Sequence, residues 1–269
     1  CQSSAASDVY KRQELELLNG NQIMIVLTNF ILEKENFKNL NNPFVATTIV
    51  SSPMLKKIAE YFNVDCKLTL TGFKWIANLI ENNPKSKFIC GGEESYGFMK
   101  GDFVRDKDAI TSSLLACEIV AEARSNEKSF FSILVDLYVK FGLFHDKLVS
   151  IQKKGKKGAE QIKNIMDGFR NQPPNLLDGS EIIIIEDYLT SQKYHVRLKQ
   201  ITKIDLPKSN VLILVSADGT RVAIRPSGTE PKIKFYFSVN MKLTKSENYR
   251  TTKIILENKI KRILTEFDI

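Results

Sequence analysis

Hydrophobic and polar positions follow two different rhythms along the chain, with the change near Phe144. Before it, short apolar runs alternate with segments of helical period. Residues 21–33 are an apolar stretch of helical length, and 36–43 are an asparagine-rich loop. Residues 44–50 are rich in β-branched side chains and read as a buried strand. Ser52-Pro53 then opens a helix, with Ser52 at the cap and Pro53 in its first turn. Leu55, Ile58, Ala59 and Phe62 recur at i, i+3, i+4, i+7 as its buried stripe. Residues 67–70 and 87–91 are two further strands, and Thr71-Gly-Phe-Lys-Trp75 sits on the turn into the next helix. Asp108 caps a helix whose expected stripe is Ile110, Leu114, Cys117 and Ala121, and 129–139 form another helix. Strands alternating with helices predict a three-layer α/β/α domain, whose functional loops lie beyond the carboxyl ends of the strands. Residues 71–75 and 91–97 both fall at such ends.

After Phe144 the pattern becomes strand-rich. Residues 147–152 read as a strand and 158–170 as a helix with Ile162, Ile165, Met166 and Phe169 inward. Residues 171–180 form a Pro/Gly loop, and strands follow at 181–187 and 195–199. Val211-Leu-Ile-Leu-Val and Arg221-Val-Ala-Ile flank Ala217-Asp-Gly-Thr, and an Asp-Gly between two β-prone runs is a strong hairpin signal. Ile233, Phe235, Phe237 and Val239 alternate with Lys232, Lys234, Tyr236 and Ser238, a period-2 strand with one buried face. A capping box at Thr244 and Glu247 starts a last helix that buries Leu256, Ile260, Ile263, Leu264 and Phe267. The second half is thus a smaller α+β domain with an antiparallel sheet. Residues 1–13 are small, polar and without periodicity and read as a non-native leader. The expected domains are 14–146 and 147–269.

Composition narrows the class of partner. The 269 residues suit one large or two ordinary domains, and 43% hydrophobic with 26% charged residues is ordinary for a globular protein. No apolar run approaches the length of a membrane span and no signal-peptide pattern opens the chain. Cys1, Cys66, Cys90 and Cys117 are widely spaced, with no C-x-x-C pair, which argues against zinc and against a disulfide framework. The chain reads as cytoplasmic. A net charge of +8 suits an anionic partner. The lysines are mostly scattered, however, and the one dense cluster, Lys153-Lys154-Gly155-Lys156-Lys157-Gly158, precedes a helix without interleaved aromatics. A solvated helix entry explains it better than a nucleic-acid patch, and a phosphorylated small molecule accounts for the charge equally well.

Two loops carry candidate chemistry. In Arg225-Pro-Ser-Gly-Thr-Glu-Pro, Arg225 offers a planar fork of donors, Ser227 and Thr229 offer hydroxyls, and Gly228 lets backbone N–H groups approach an anion. That equips the loop to hold a phosphate monoester that is not itself reacting, although the same composition also serves ordinary turns. In Gly91-Gly-Glu-Glu-Ser-Tyr-Gly, two carboxylates beside a hydroxyl suit a grip on sugar hydroxyls. The bland alternative is a charged loop that caps the following helix. Glu93 and Glu94 are adjacent on an extended segment and point apart, so they are not placed to flank one bond as a glycosidase pair does. Arg105 and Lys107 add a basic pair before the helix at Asp108.

Four motifs in one order resemble a family. Thr-Gly-Phe-Lys at 71–74, Gly-Glu-Glu-Ser at 92–95, Arg-Asp-Lys-Asp at 105–108 and Arg-Pro-Ser-Gly-Thr at 225–229 are similar to the α-D-phosphohexomutases, in the phosphoglucomutase/phosphomannomutase branch. The resemblance runs from about Leu17 to the C-terminus. Glu94 before Ser95 is unlike the phosphoglucosamine mutases, which resemble one another in carrying Gln there. The resemblance implies the third and fourth domains of a four-domain enzyme that moves phosphate between the 1- and 6-positions of a hexose. That reaction passes through a hexose 1,6-bisphosphate, with a phosphoserine donor and Mg²⁺. By motif match it implies that Glu93 and Ser95 hold sugar hydroxyls and that Thr71 and Gly72 lie on a loop that discriminates the sugar. Arg105 and Lys107 would contact the substrate, with Lys107 near the transferring phosphate. Arg225, Ser227, Gly228 and Thr229 would bind the distal phosphate.

The departure is large. The family's Thr-x-Ser-His-Asn-Pro serine segment and Asp-x-Asp-x-Asp metal loop do not occur in this sequence. His145 and His195 lie far from any such motif and read as structural. Leu18-Asn-Gly-Asn21 resembles the stretch a short way after the family's metal loop. The first reading is therefore the C-terminal part of a phosphosugar mutase, inactive alone. The second is a non-catalytic phosphosugar-binding protein. Nucleic-acid binding is the third.

Overall fold

Asn19 fixes where the first helix begins. In a computed structural model of the chain its side chain accepts the Gln22 N–H at 3.0 Å, while the Gln22 side chain accepts the Asn19 N–H at 2.9 Å. This reciprocal cap starts α1 (Gly20–Lys34). The structure describes residues 17–35, 37, 40–153, 156–228 and 230–269. The expected leader at 1–13, Thr229, and Lys154, Gly155 and the Lys156 side chain of the basic cluster lie outside the described residues. The chain divides into two units, one running through Gly142 and including Lys242–Tyr249, the other comprising Leu143–Met241 and Arg250–Ile269.

In the first unit, β1 (Phe44–Thr48), β2 (Asp65–Thr69) and β3 (Phe88–Gly92) are parallel, and β4 (Phe98–Lys100) closes the edge antiparallel, in the order β2-β1-β3-β4. Phe73, Ile76 and Ile80 of α3 (Phe73–Glu81) pack against Phe44, Ala46, Phe88 and Met99 of the sheet. Met24 of α1 meets the sheet at Thr47, with the sulfur 3.5 Å from its hydroxyl. α1 is buried along most of its length, with α2 (Met54–Tyr61), α4 (Ala109–Ser125) and α5 (Phe130–Phe141) packed around it. These are the three layers that the alternating pattern predicts. Thr48 pairs with Thr69 and Thr47 with Gly92, so the parallel strands end level. The loops that follow them therefore emerge at one edge.

Several local expectations are corrected. The apolar stripe of α4 is not Ile110, Leu114, Cys117 and Ala121. Ile110 and Leu114 are exposed, and Leu115, Ala116, Ile119 and Ala123 are buried instead. The helix is rich in small apolar residues, so two stripes fit its period. Its rotation is chosen by tertiary anchors: the Asp108 N–H and the Ser112 hydroxyl both donate to the Phe98 carbonyl, at 2.9 and 3.3 Å. Ser52 does not cap α2, whose cap position is Pro53 with no side-chain bond. The strand β4 was not visible in a three-residue run after a glycine-rich turn.

In the second unit β5 (Leu143–Gln152), β7 (Ser180–Asp187), β8 (Gln192–His195), β9 (Gln200–Lys203), β10 (Leu212–Ser216), β11 (Arg221–Pro226) and β12 (Lys232–Met241) form an antiparallel sheet in the order β5-β12-β11-β10-β7-β8-β9. The short β6 (Leu176–Leu177) pairs with β7. Helices α6 (Lys156–Asn171) and α7 (Tyr249–Glu266) cover the face that carries Phe235 and Phe237, where Phe169 and Phe267 meet Phe235 with ring centres 6.0 and 6.4 Å away. Leu256, Ile260 and Ile263 are buried as expected, and Leu264 and Phe267 are half-buried. Of the strand expected at 195–199 only His195 lies in a strand, and 196–199 are the turn between β8 and β9, with Lys199 at φ 49. His195 ends β8, its Nε2 3.4 Å from the Thr202 hydroxyl. No capping box forms at Thr244, because a 3₁₀ turn at Ser246–Asn248 precedes α7. Both faces of β12 are buried at mid-strand, since Tyr236 and Ser238 are covered along with Phe235 and Phe237.

The Asp-Gly hairpin forms between β10 and β11 with Gly219 at φ 82. Burial alone would raise the Asp218 carboxyl, but hydrogen bonds from Lys259, Ser216 and Thr220 outweigh it and hold the group well below the usual carboxylate range. A depressed carboxyl contributes stability above its unfolded pKa of about 3.9 and loses it as pH falls through that value and below. Asp218→Ala is expected to cost about 1–2 kcal/mol, after discounting for its exposure. Thermal unfolding at pH 7 and pH 3 checks this, and the difference between parent and variant should shrink at the lower pH.

Candidate functional site

Three loops meet at the carboxyl edge of the first sheet. Leu70-Thr-Gly follows β2, residues 49–53 follow β1, and 93–97 follow β3. The β3 loop reaches over the end of the central β1. The Glu93 N–H closes it on the Gly97 carbonyl at 2.8 Å, and Glu93 Oε1 accepts the Gly72 N–H at 2.5 Å. Gly72 caps α3 at φ 112, a left-handed conformation that favours glycine and turns its N–H toward the carboxylate. Burial pushes the Glu93 carboxyl above its ordinary value and the neighbouring Glu94 adds to this, while the Gly72 N–H, Lys107 and the Ser95 hydroxyl pull the other way. Gly72, Glu93, Ser95 and Lys107 thus share one electrostatic neighbourhood. Thr71 is half-buried beside it.

Glu94 turns the opposite way, as adjacent residues of an extended segment must. Its Oε2 accepts from the hydroxyls of Thr48 and Ser51, both at 3.2 Å. Glu93 and Glu94 therefore serve different elements. Lys107 pairs with Asp106 at 3.0 Å and lies 5.8 Å from the centre of the Phe73 ring. Arg105 sits on the same exposed stretch before α4.

The second unit holds the other candidate loop. Arg225 lies near the end of β11, directly across from Lys234 of β12, with Ser150 of β5 next in the row. Beyond it the Ser227 N–H donates to the Lys232 carbonyl at 2.7 Å, and the Lys153 N–H donates to Pro231 at 2.9 Å. Gly228 is open, with nothing within 4 Å of where a Cβ would stand. Lys232 is taken by Glu230 at 2.6 Å. Like charges directly opposite on paired strands are unfavourable, so Arg225 and Lys234 form a concentration of positive charge that an anion would relieve. The sequence marks Lys234 only as a polar position of the β12 alternation, and it does not single out Thr48 or Ser51. The loop at 227–231 joins β11 to β12, and counting outward from it sets Lys234 opposite Arg225.

Among the described residues, no group of three or more His, Cys, Asp or Glu side chains is placed to hold a metal ion. The Mg²⁺ that the resemblance implies finds no such ligand set among these described residues. Among the described residues no helix is long and apolar enough to cross a membrane. Burial raises the thiols of Cys66 and Cys90 to about 12, so neither is a ready nucleophile.

The sequence matches the phosphoglucomutase/phosphomannomutase α/β/α domain III over residues 19–141, and the C-terminal domain of the same family over 190–242. It is 41% identical over 223 residues to a phosphoglucomutase of Staphylococcus epidermidis, and 40% identical over 222 residues to one of Staphylococcus aureus. In each case 82% of this chain is matched, and the chain spans 40% of the relative's length. Among solved structures, parafusin, a phosphoglucomutase from Paramecium, superposes with a TM-score of 0.59 at 21% identity, covering 94% of this chain and 42% of that one. A phosphoglucomutase/phosphomannomutase family protein from Burkholderia thailandensis gives 0.54 at 12% identity, covering 94% and 43%. With both domain families matched in order on a fold that the solved structures share, the chain belongs to the α-D-phosphohexomutase superfamily, of which it carries the C-terminal domains.

Proposed function

We propose that this chain supplies the sugar-hydroxyl grip and the distal-phosphate grip of a phosphosugar mutase of the phosphoglucomutase type. In that role Glu93 and Ser95 accept and donate hydrogen bonds to sugar hydroxyls, and the Thr71–Gly72 turn shapes the sugar's surroundings. Lys107, with Arg105 nearby, faces the phosphate that is transferred. Arg225, Ser227, Gly228 and Thr229 hold the phosphate that is not. Binding the unreactive phosphate tightly is a way to convert remote binding energy into orientation at the reacting end. The observation that carries the reading is the convergence of Glu93, Ser95 and Lys107 on the Gly72 turn. The transfer itself, through a hexose 1,6-bisphosphate, requires the phosphoserine and metal-loop motifs that this sequence does not contain.

Calorimetric titration of the chain with glucose 6-phosphate, glucose 1,6-bisphosphate and inorganic phosphate tests the proposal. Both hexose phosphates are expected to bind more tightly than phosphate alone, and Ser95→Ala should reduce that advantage. Equal affinity for all three would remove the sugar grip. Conversion of glucose 1-phosphate by the chain alone, with Mg²⁺ and glucose 1,6-bisphosphate present, is expected to stay at background. Turnover above background would overturn the division of labour.

A further inference from the structure

Glu94 lies beside the sugar grip and points away from it, into a pair of buried hydroxyls. Thr48 and Ser51 are 1% and 4% exposed, and their oxygens lie 2.9 Å apart and each 3.2 Å from Glu94 Oε2. Two hydroxyls supply two protons for these three contacts. Either both protons go to the carboxylate, or one hydroxyl donates to the other and the second donates onward. In both arrangements Glu94 is the terminal acceptor. Without it a buried O–H would be left with no acceptor, which is costly.

The same turn is pinned from its other side. A Cβ on Gly20 would come within 2.2 Å of the Glu94 carbonyl oxygen and 2.5 Å of the Tyr96 nitrogen, so the first residue of α1 lies flush against the turn. Tyr96 is held at φ 71, and its hydroxyl donates to the Leu18 carbonyl at 3.3 Å. With the backbone fixed on both sides, Glu93 is delivered to the Gly72 N–H.

We infer that Glu94 is a positioning residue for the sugar grip: anchored by Thr48 and Ser51 at the end of β1, it sets the 93–97 turn so that Glu93 meets Gly72 and Ser95. Its functional consequence rests on reading Glu93 and Ser95 as that grip, so the test keeps the two separable. In ¹⁵N-labelled chain, the Gly72 amide shift should follow the Glu93 carboxyl, with a midpoint above the ordinary glutamate value. Burial and Glu94 raise that midpoint, and Lys107 opposes them. Glu93→Gln should abolish the response. Glu94→Ala, and separately Thr48→Val with Ser51→Ala, should also abolish it and weaken glucose 6-phosphate binding about tenfold. Affinity for inorganic phosphate should be unchanged. Glu94→Gln keeps an acceptor oxygen for the hydroxyls and should restore most of the response. Retention of amide signals remote from the turn shows that each variant is folded. If Gly72 still titrates in folded Glu94→Ala as in the parent, the positioning role is overturned. If the response is lost while glucose 6-phosphate affinity holds, positioning stands and the sugar-grip reading falls.

Discussion

Arg225→Ala is expected to lower affinity for glucose 6-phosphate by about a hundredfold or more while leaving the fold intact. The side chain can give a phosphate two parallel N–H bonds, each charge-assisted and worth about 1.5–3 kcal/mol, and the sum of two corresponds to at least two decades. The fold should not suffer, because Arg225 is half-buried near the end of β11 and faces Lys234 rather than a carboxylate. Removing one of two opposed cations should leave the melting midpoint unchanged or slightly raised. Arg225→Lys separates charge from shape: it keeps the positive charge and loses the fork, so an intermediate affinity is expected. Calorimetry with glucose 6-phosphate and with inorganic phosphate reads both variants. The losses for the two ligands should be similar, since the proposed role of Arg225 is to hold the phosphate. Parental affinity in Arg225→Ala would remove the phosphate role from this loop.

Most of the architecture is legible because it is written in periodicity, and the structure departs from the expected pattern mostly where periodicity is silent or double-valued. The Asp-Gly turn specifies the β10–β11 hairpin, whose pairs follow from counting outward from it, and the alternation in β12 marks the strand that pairs with β11. In α4 two apolar stripes compete, and only contacts with β4 and α1 decide between them. Strand β4 has three residues, too few to show a period. Within the site, Glu93 and Ser95 stood out because carboxylates and hydroxyls at a strand end are unusual in a mere connector. Thr48 and Ser51 did not, because hydroxyl residues at the end of a β-branched run look like ordinary strand and cap. Their contact with Glu94 depends on the β3 loop crossing the end of β1, a consequence of the order β2-β1-β3 that no local window contains.

Gly20→Ala sets two local rules against each other, and their sizes decide the outcome. In a solvent-exposed helix the change would be favourable by about 1 kcal/mol, since alanine loses less backbone entropy. Here the new methyl would stand 2.2 Å from the Glu94 carbonyl oxygen, 2.5 Å from the Tyr96 nitrogen and 2.7 Å from the Glu94 carbonyl carbon. All three are backbone atoms of a turn closed on Gly97 and anchored by Glu94, so the methyl meets no flexible side-chain end that can swing aside. Overpacking against such a wall costs about 1–3 kcal/mol and at times more, and α1 is too deeply buried to tilt away. The net expectation is a loss of about 2 kcal/mol in denaturant unfolding of the first unit, together with a fall in glucose 6-phosphate affinity as the turn shifts and Glu93 leaves the Gly72 N–H. Inorganic phosphate should bind as before. If Gly20→Ala instead raises stability, the approach of α1 to the turn is looser than the structure has it, and the pinning of the 93–97 turn from that side must be given up.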